Sequence, residues 1–400
     1  MYEVPPTAGL PLHWRDLLAG NAAALASGLA SLIGVPVQLA CSGTACLVLA
    51  LNELRGTSRR SSVVIPAYTC PLVPLAILHA GLRVELCDVL PGHFDLAPDA
   101  LAAACGPDTL AVIPTHLGGR VANVPLAVAT AARVGAFVIE DAAQALGARA
   151  GTASVGTLGD AGFFSLAAGK GLTTFEGGVL VTRDPERRRK ARTAGASLPY
   201  RPILEARRTL ELLAYAAGYN PAVLALAYGW PLRRRLHRRD LLSAVGDNLD
   251  GPIPLHRLSA WRQAVAASAL ARLPAFQRQL ERQALERCAL VQQVSGLDVL
   301  VDRSGDRGVW PVLMVLMPGP VERDAALTRL WASGTGVARM FLNAIPDYPY
   351  LKGRVPAVDV PHARALADRL LTVSNSPWLG DDRFSTILGE LGEAARRGHY

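Results

Sequence analysis

The chain has 400 residues, half of them hydrophobic and only 18% charged, with a net charge of +8. That length and apolar content support a large core and two domains. The six cysteines show no CxxC pair and no Cys/His cluster with metal spacing, which excludes a zinc module and fits reduced thiols in a cytosolic protein. The opening MYEVPPTAGL lacks a basic segment followed by an apolar run, so no signal peptide is expected. No stretch of about 18 residues is free of breakers and charge, so a simple membrane span is not expected either.

Residues 43–55 have helical periodicity and follow Ser42-Gly43. VVIP at 63–66 reads as a short buried strand, 71–80 as a helix and LRVELCDV at 82–89 as a strand. LAVIPTH at 110–116 and AFVIED at 136–141 are apolar strands with polar ends, separated by an Ala-rich helix over 125–134. Strands alternating with helices at this spacing predict βαβ units and a mostly parallel sheet. Ligands of such sheets bind at the carboxyl ends of the strands. From about 185 to 255 arginines and apolar residues dominate and no strand is evident. A long helix begins at 259, with a bend expected at Pro274. Short strands near 297–302 and 309–316 follow, then helices near 320–333, 361–370 and 383–397. The fold class is therefore α/β, with a large domain over 1–250 carrying a helical insertion at about 200–245, and a smaller α+β domain over 251–400.

Three motifs carry chemistry. VIEDAAQALGA at 138–148 sets an acidic pair at the end of a strand, with Gln144 three residues after Asp141. By itself this is equally an acidic helix start. GFFSLAAGKGLTTFEGGVLVT at 162–182 takes a strand to Ser165 and places Lys170 in a glycine-flanked turn; only Lys190 and Lys352 are other lysines. CSGTACLVLALNEL at 41–54 puts Ser-Gly-Thr at a helix start, either an ordinary cap or an anion site made by free N–H groups. Together, an amine and a carboxylate 29 residues apart stand at the ends of strands of one sheet. Pyridoxal phosphate needs this pair: a lysine for its aldehyde and an acid for its pyridine nitrogen.

The order of these motifs resembles the DegT/DnrJ/StrS-type aminotransferases, fold-type-I pyridoxal phosphate enzymes acting mainly on nucleotide-linked keto sugars. The matching stretches are SGTA at 42–45, PAYTCP at 66–71, IPTHLGG at 113–119, EDAAQALGA at 140–148, FFSLAAGKGLTTFEGG at 163–178 and LADRLLTVSNSPWL at 366–379. The resemblance implies a Schiff base on Lys170, with Asp141 holding the pyridine nitrogen protonated and Gln144 reaching the ring hydroxyl. It assigns the phosphate to Gly43, Thr44, Ala45 and Ser165, and makes Lys170 the general base of a ping-pong cycle. The implied partners are glutamate as amino donor, a sugar or other carbonyl compound as acceptor, and a second copy in a homodimer. Tyr68, His116, Arg257 and Arg339 are the candidate substrate contacts. The alternatives are sugar dehydration, disfavoured because related dehydratases carry histidine in place of the lysine, and a cofactor-binding regulator or scaffold without turnover.

The chain departs from the family pattern in three places. Cys70 stands where an aromatic residue commonly stacks on the cofactor ring. Leu255-His256-Arg257 replaces an Asn-Tyr-Arg segment that reaches the neighbouring subunit's phosphate, so only the arginine is retained. The third is TLELLAYAAGYNPAVLALAYGWPL at 209–232, apolar on all sides, broken at Asn220-Pro221 and followed by RRRLHRR at 233–239. Two readings stand for 209–239: a buried helical hairpin with a solvated arginine run, or an interfacial hairpin on anionic lipid at the inner face of the membrane. No aromatic-basic nucleic-acid module is present.

Overall fold

The computed structural model describes residues 2–18, 20–249 and 251–397. Its centre is a seven-stranded sheet formed by β1 (Val37–Ala40), β2 (Ser62–Pro66), β3 (Arg83–Cys87), β4 (Thr109–Val112), β5 (Phe137–Asp141), β6 (Ala161–Ser165) and β7 (Gly178–Thr182). The spatial order is β1-β7-β6-β5-β4-β2-β3. β2 pairs parallel with β3 and β4, and the β4/β5 and β5/β6 pairs are also parallel. Only β7 runs against its neighbours, β6 and β1. The expected mostly parallel α/β sheet is present. Strands β2, β4 and β7 are buried at every residue, which is why they read as unbroken apolar runs rather than alternating ones.

Helices α1 (Ala23–Ile33), α2 (Gly43–Arg55), α3 (Leu72–His79) and α4 (Val124–Val134) flank this sheet. α2 starts where Ser42 accepts from the Ala45 amide, and α4 where Asn123 accepts from that of Leu126. The 110–116 run is shorter as a strand than expected. It ends at Val112, and Ile113 to His116 lead into the site as loop.

Residues 185–245 are mostly helical. Their main feature is a hairpin of α5 (Pro202–Gly218) and α6 (Pro221–His237), bent by 118° at Tyr219-Asn220. Among the described residues no single helix is long and apolar enough to cross a membrane. The hairpin's inner face buries Glu205, Leu212, Tyr219, Ala225 and Leu232, while Ile203, Leu210, Leu226 and Trp230 face outward. A fully buried hairpin is thus realised on one face only.

The expected long helix from 259 is two: α7 (Ala260–Leu270) and α8 (Leu273–Gln292). The break precedes Pro274, which sits in the first turn of α8, where its missing N–H is no loss. Beyond it lies a four-stranded antiparallel sheet of β8 (Asp298–Val299), β9 (Val312–Leu316), β10 (Val337–Ala338) and β11 (Leu370–Ser374), in the order β8-β9-β11-β10. Helices α9 (Pro320–Leu330) and α10 (Asp381–Arg397) accompany it. Val4, near the N-terminus, belongs to the core beneath this sheet.

Residues 3–10 run as a strap across the molecule. Amides of Glu3, Val4, Ala8 and Leu10 donate to the carbonyls of Pro221, Gly334, Pro311 and Gly171, at 2.9–3.0 Å. The Tyr219 hydroxyl accepts from the Gly9 amide and donates to the Thr7 carbonyl, so the hairpin grips the strap.

Candidate active site

The acidic pair at the end of β5 divides its work. Successive strand residues point to opposite faces. Glu140 points inward and is fully buried. Its Oε1 accepts from the amides of Leu158 and Gly159, and its Oε2 from the Gly156 amide and from His116 Nε2 at 3.0 Å. Asp141 points into a cavity of about 190 Å³ at the carboxyl ends of the strands. The Ala143 amide donates to its Oδ1 at 3.0 Å. Burial pushes the Asp141 carboxyl up from its ordinary value, opposed by that amide and by the charge of Lys170.

Lys170 reaches the same cavity from the loop between β6 and β7. The loop is a closed turn: Leu166 N donates to Gly177 O, Thr174 N to Leu166 O and Ala168 N to Phe175 O. It is held from outside at two points. The strap bonds Gly171, and Thr7 Oγ1 donates to Gly169 O at 2.8 Å. Arg262, wholly buried on α7, donates to the carbonyls of Thr174 and Glu176 while its other nitrogens bond Glu205. Burial lowers the Lys170 pKa, partly offset by Cys70 and Asp141, which raises the share of neutral amine.

At the other end stands the start of α2. Two glycines permit its close approach to the sheet. A Cβ on Gly43 would lie 3.2 Å from Ser165 Cβ, and one on Gly178 would lie 2.2 Å from the Ser42 carbonyl oxygen. Gly43 and Thr44 are the first helical residues, so their amides have no intrahelical acceptor. They line the cavity together with Ser165, forming an anion cradle at a helix N-terminus.

Of the residues expected to hold the cofactor, Gly43, Thr44, Cys70, Asp141, Gln144, Ser165 and Lys170 all line this cavity. Ala45 is not among the lining residues; its amide is bonded to Ser42 Oγ. Gln144 Oε1 accepts from the Gly118 amide at 2.7 Å. Burial pushes the Cys70 thiol up to about 12, so it faces the site neutral.

The expected substrate contacts fare differently. His116 lines the cavity, but both ring nitrogens are engaged: Nδ1 accepts from the Ala122 amide, which leaves the proton on Nε2 for Glu140. Tyr68, Arg257 and Arg339 do not line it. The Tyr68 hydroxyl bonds the Phe341 backbone, Arg339 donates to the carbonyls of Leu342 and Ala367, and Arg257 is exposed. Sequence reasoning missed Thr115 and Phe341 in the lining. Thr115 ends the quoted IPT run and was open to view, whereas nothing local marks Phe341.

An amine, an acid and an anion cradle on one cavity fit pyridoxal phosphate, residue by residue. Residues 14–201 match the model of the DegT/DnrJ/EryC1/StrS aminotransferase family. Among proteins similar to this segment, MosB of Rhizobium meliloti is 40% identical over 156 residues, covering 39% of this chain and 31% of MosB. The UDP-N-acetyl-3-dehydro-alpha-D-glucosamine 3-aminotransferase of Acidithiobacillus ferrooxidans is 37% identical over 178 residues, 44% of this chain and 48% of that enzyme. The aligned stretches thus span less than half of these relatives. The crystal structure of DesI with its TDP-sugar product superposes with a TM-score of 0.75 at 22% identity, covering 99% of this chain and 94% of DesI. That likeness gives the fold, the fold-type-I transferase architecture.

Proposed function

We propose that this chain is a pyridoxal-phosphate-dependent aminotransferase that moves an amino group from glutamate to a keto sugar or a related carbonyl compound. The observation that carries the reading is the meeting of Lys170, Asp141 and the 43–44 cradle on one cavity. The bound cofactor would supply an electron sink that stabilises negative charge at the amine-bearing carbon. Asp141 holds a proton at the pyridine nitrogen, and its buried carboxylate keeps the compensating charge close. The amides of Gly43 and Thr44, with Thr44 and Ser165 hydroxyls, take the phosphate charge. Gln144, which lines the same cavity, would reach the ring hydroxyl. Lys170, with its lowered pKa, carries the proton to and from the substrate carbon.

The acceptor class rests on the family and on the sugar substrate named for the Acidithiobacillus enzyme. We also propose a homodimer. Its support is an opening of about 360 Å³ beside Ser42, Thr44 and Glu176, bounded by 248–249 and 251–254, which a second copy would close. Six unpaired thiols suit the cytoplasm, and the arginine-flanked hairpin suits a place at the inner membrane surface.

The test is spectroscopic. The purified protein with pyridoxal phosphate should show the long-wavelength absorbance of a lysine-bound cofactor, and glutamate should bleach it. Lys170→Ala should lack that absorbance. No spectral change with any amino donor would overturn the aminotransferase reading, and persistence of the band in the variant would show that another lysine is used.

A further inference from the structure

The hairpin of α5 and α6 has a face that nothing in the described chain covers. On α5 the outward positions are Ile203, Leu210, Leu213, Ala214 and Ala217. These follow helical spacing and form one stripe. Beyond the bend, Val223, Leu226 and Trp230 on α6 are exposed as well. Ile203 is 86% exposed, Leu210 and Leu226 are each 66% exposed, and Trp230 is 58% exposed. Contiguous exposure of large apolar side chains marks an interaction surface.

The charge beside the stripe selects the partner. Hairpin residues form the ion pairs Arg207–Glu211, Arg208–Glu211, Arg208–Glu176 and Arg233–Glu3. This leaves Arg234, Arg238 and Arg239, all exposed, without a carboxylate among the described residues. Arg234 lies 5.6 Å from the Trp230 ring centre, so cation and indole stand together on α6. A second copy of this surface would bring the same arginines together. An exposed apolar face accompanied by cations and an indole matches the headgroup layer of an anionic bilayer.

We infer that the outer face of α5 and α6 docks in the plane of an anionic lipid surface. The inference rests on the membrane placement proposed above and deepens it by naming the face and the lipid charge. In-plane docking follows from the geometry. α5 has 17 residues, about 25 Å of helix, short of the roughly 30 Å of a hydrocarbon core. The inner face is also committed, through Tyr219 to the strap and through Arg208 to Glu176 of the Lys170 loop. The docked element is therefore tied to the catalytic lysine's own loop.

The test is sedimentation of the holoenzyme with vesicles of phosphatidylcholine alone, or of phosphatidylcholine mixed with phosphatidylglycerol. Binding is expected to the anionic vesicles only, and to weaken with salt. Each surface arginine contributes about five-fold to partitioning, so Arg234→Ala/Arg238→Ala/Arg239→Ala should lower it roughly 100-fold. Leu210→Asp/Leu226→Asp should abolish it, and Val321→Asp, an exposed apolar site on α9, should not change it. All variants should retain the bound-cofactor absorbance, which reports folding. No binding of the unaltered protein to either vesicle would overturn the membrane placement itself. Binding that persists in the hairpin variants would keep that placement and overturn this face. Loss of a dimer in Leu210→Asp/Leu226→Asp, measured by light scattering without lipid, would assign the face to a second copy instead.

Discussion

Replacing Glu140 with glutamine swaps one carboxylate oxygen for an amide nitrogen. Four donors converge on Glu140, two at each oxygen. Whichever way the glutamine turns, two of them meet an NH₂ group. Each buried donor left unsatisfied costs roughly 1–3 kcal/mol, so Glu140→Gln should lose about 2–6 kcal/mol, a large part of a typical stability of about 5–15 kcal/mol. The adjacent Asp141→Asn should behave oppositely. Burial already disfavours that carboxylate, so the variant should lose less stability than Glu140→Gln, while turnover with glutamate falls by roughly 100-fold or more. Urea unfolding followed by tryptophan fluorescence, compared at equal slope, measures the first quantity, and bleaching of the cofactor band the second. A loss below about 1 kcal/mol in Glu140→Gln would refute the four-donor assignment. A larger stability loss in Asp141→Asn than in Glu140→Gln would refute the division of labour between the two faces of β5.

Two further outcomes follow from the site. Gly178→Ala sets a methyl against the Ser42 carbonyl and the Gly43 amide, backbone that cannot swing aside; cofactor affinity should fall roughly ten-fold, the equivalent of one hydrogen bond, and unchanged affinity in an absorbance titration would contradict the cradle. The depressed pKa of Lys170 means that its amine is neutral at lower pH than an ordinary lysine's. The rate of cofactor loading onto the apoprotein should therefore reach half its maximum below the ordinary value of 10.5. Asp141→Asn should move that midpoint lower still, because the carboxylate favours the charged amine. A midpoint at or above the ordinary value, or an upward shift in the variant, would contradict the burial of this amine.

The strand ends and their chemistry were readable because a buried parallel strand is an unbroken apolar run, and polar residues at its carboxyl end stand out. β2, β5 and β6 all announce themselves in this way. β11 did not, because Leu370 follows the helix Pro361–Arg369 directly, with no glycine or proline to mark the change. β1 was hidden by its four-residue length. Within the site, the residues named from local motifs arrive where local geometry sends them. Phe341 joins the lining from 171 positions beyond Lys170, and no periodicity encodes such a meeting. His116 shows a further limit. Its place at a strand end was legible, but the bonds that occupy both nitrogens depend on loops at 122 and 156–159.

The strap of residues 3–10 imposes an order of events on the newly made chain. Its amides find their acceptors at positions 171, 221, 311 and 334, and Tyr2 donates to the Trp378 carbonyl, 376 residues away. These residues are synthesised early and docked late, since ordering them requires closing some of the longest loops the chain contains. The loop bearing Lys170 can be formed by its own hydrogen bonds before that, but it is fastened only when the strap arrives. Competence to hold the cofactor should consequently lag behind collapse of the central sheet, and a stopped-flow refolding trace followed by cofactor absorbance should trail the tryptophan signal.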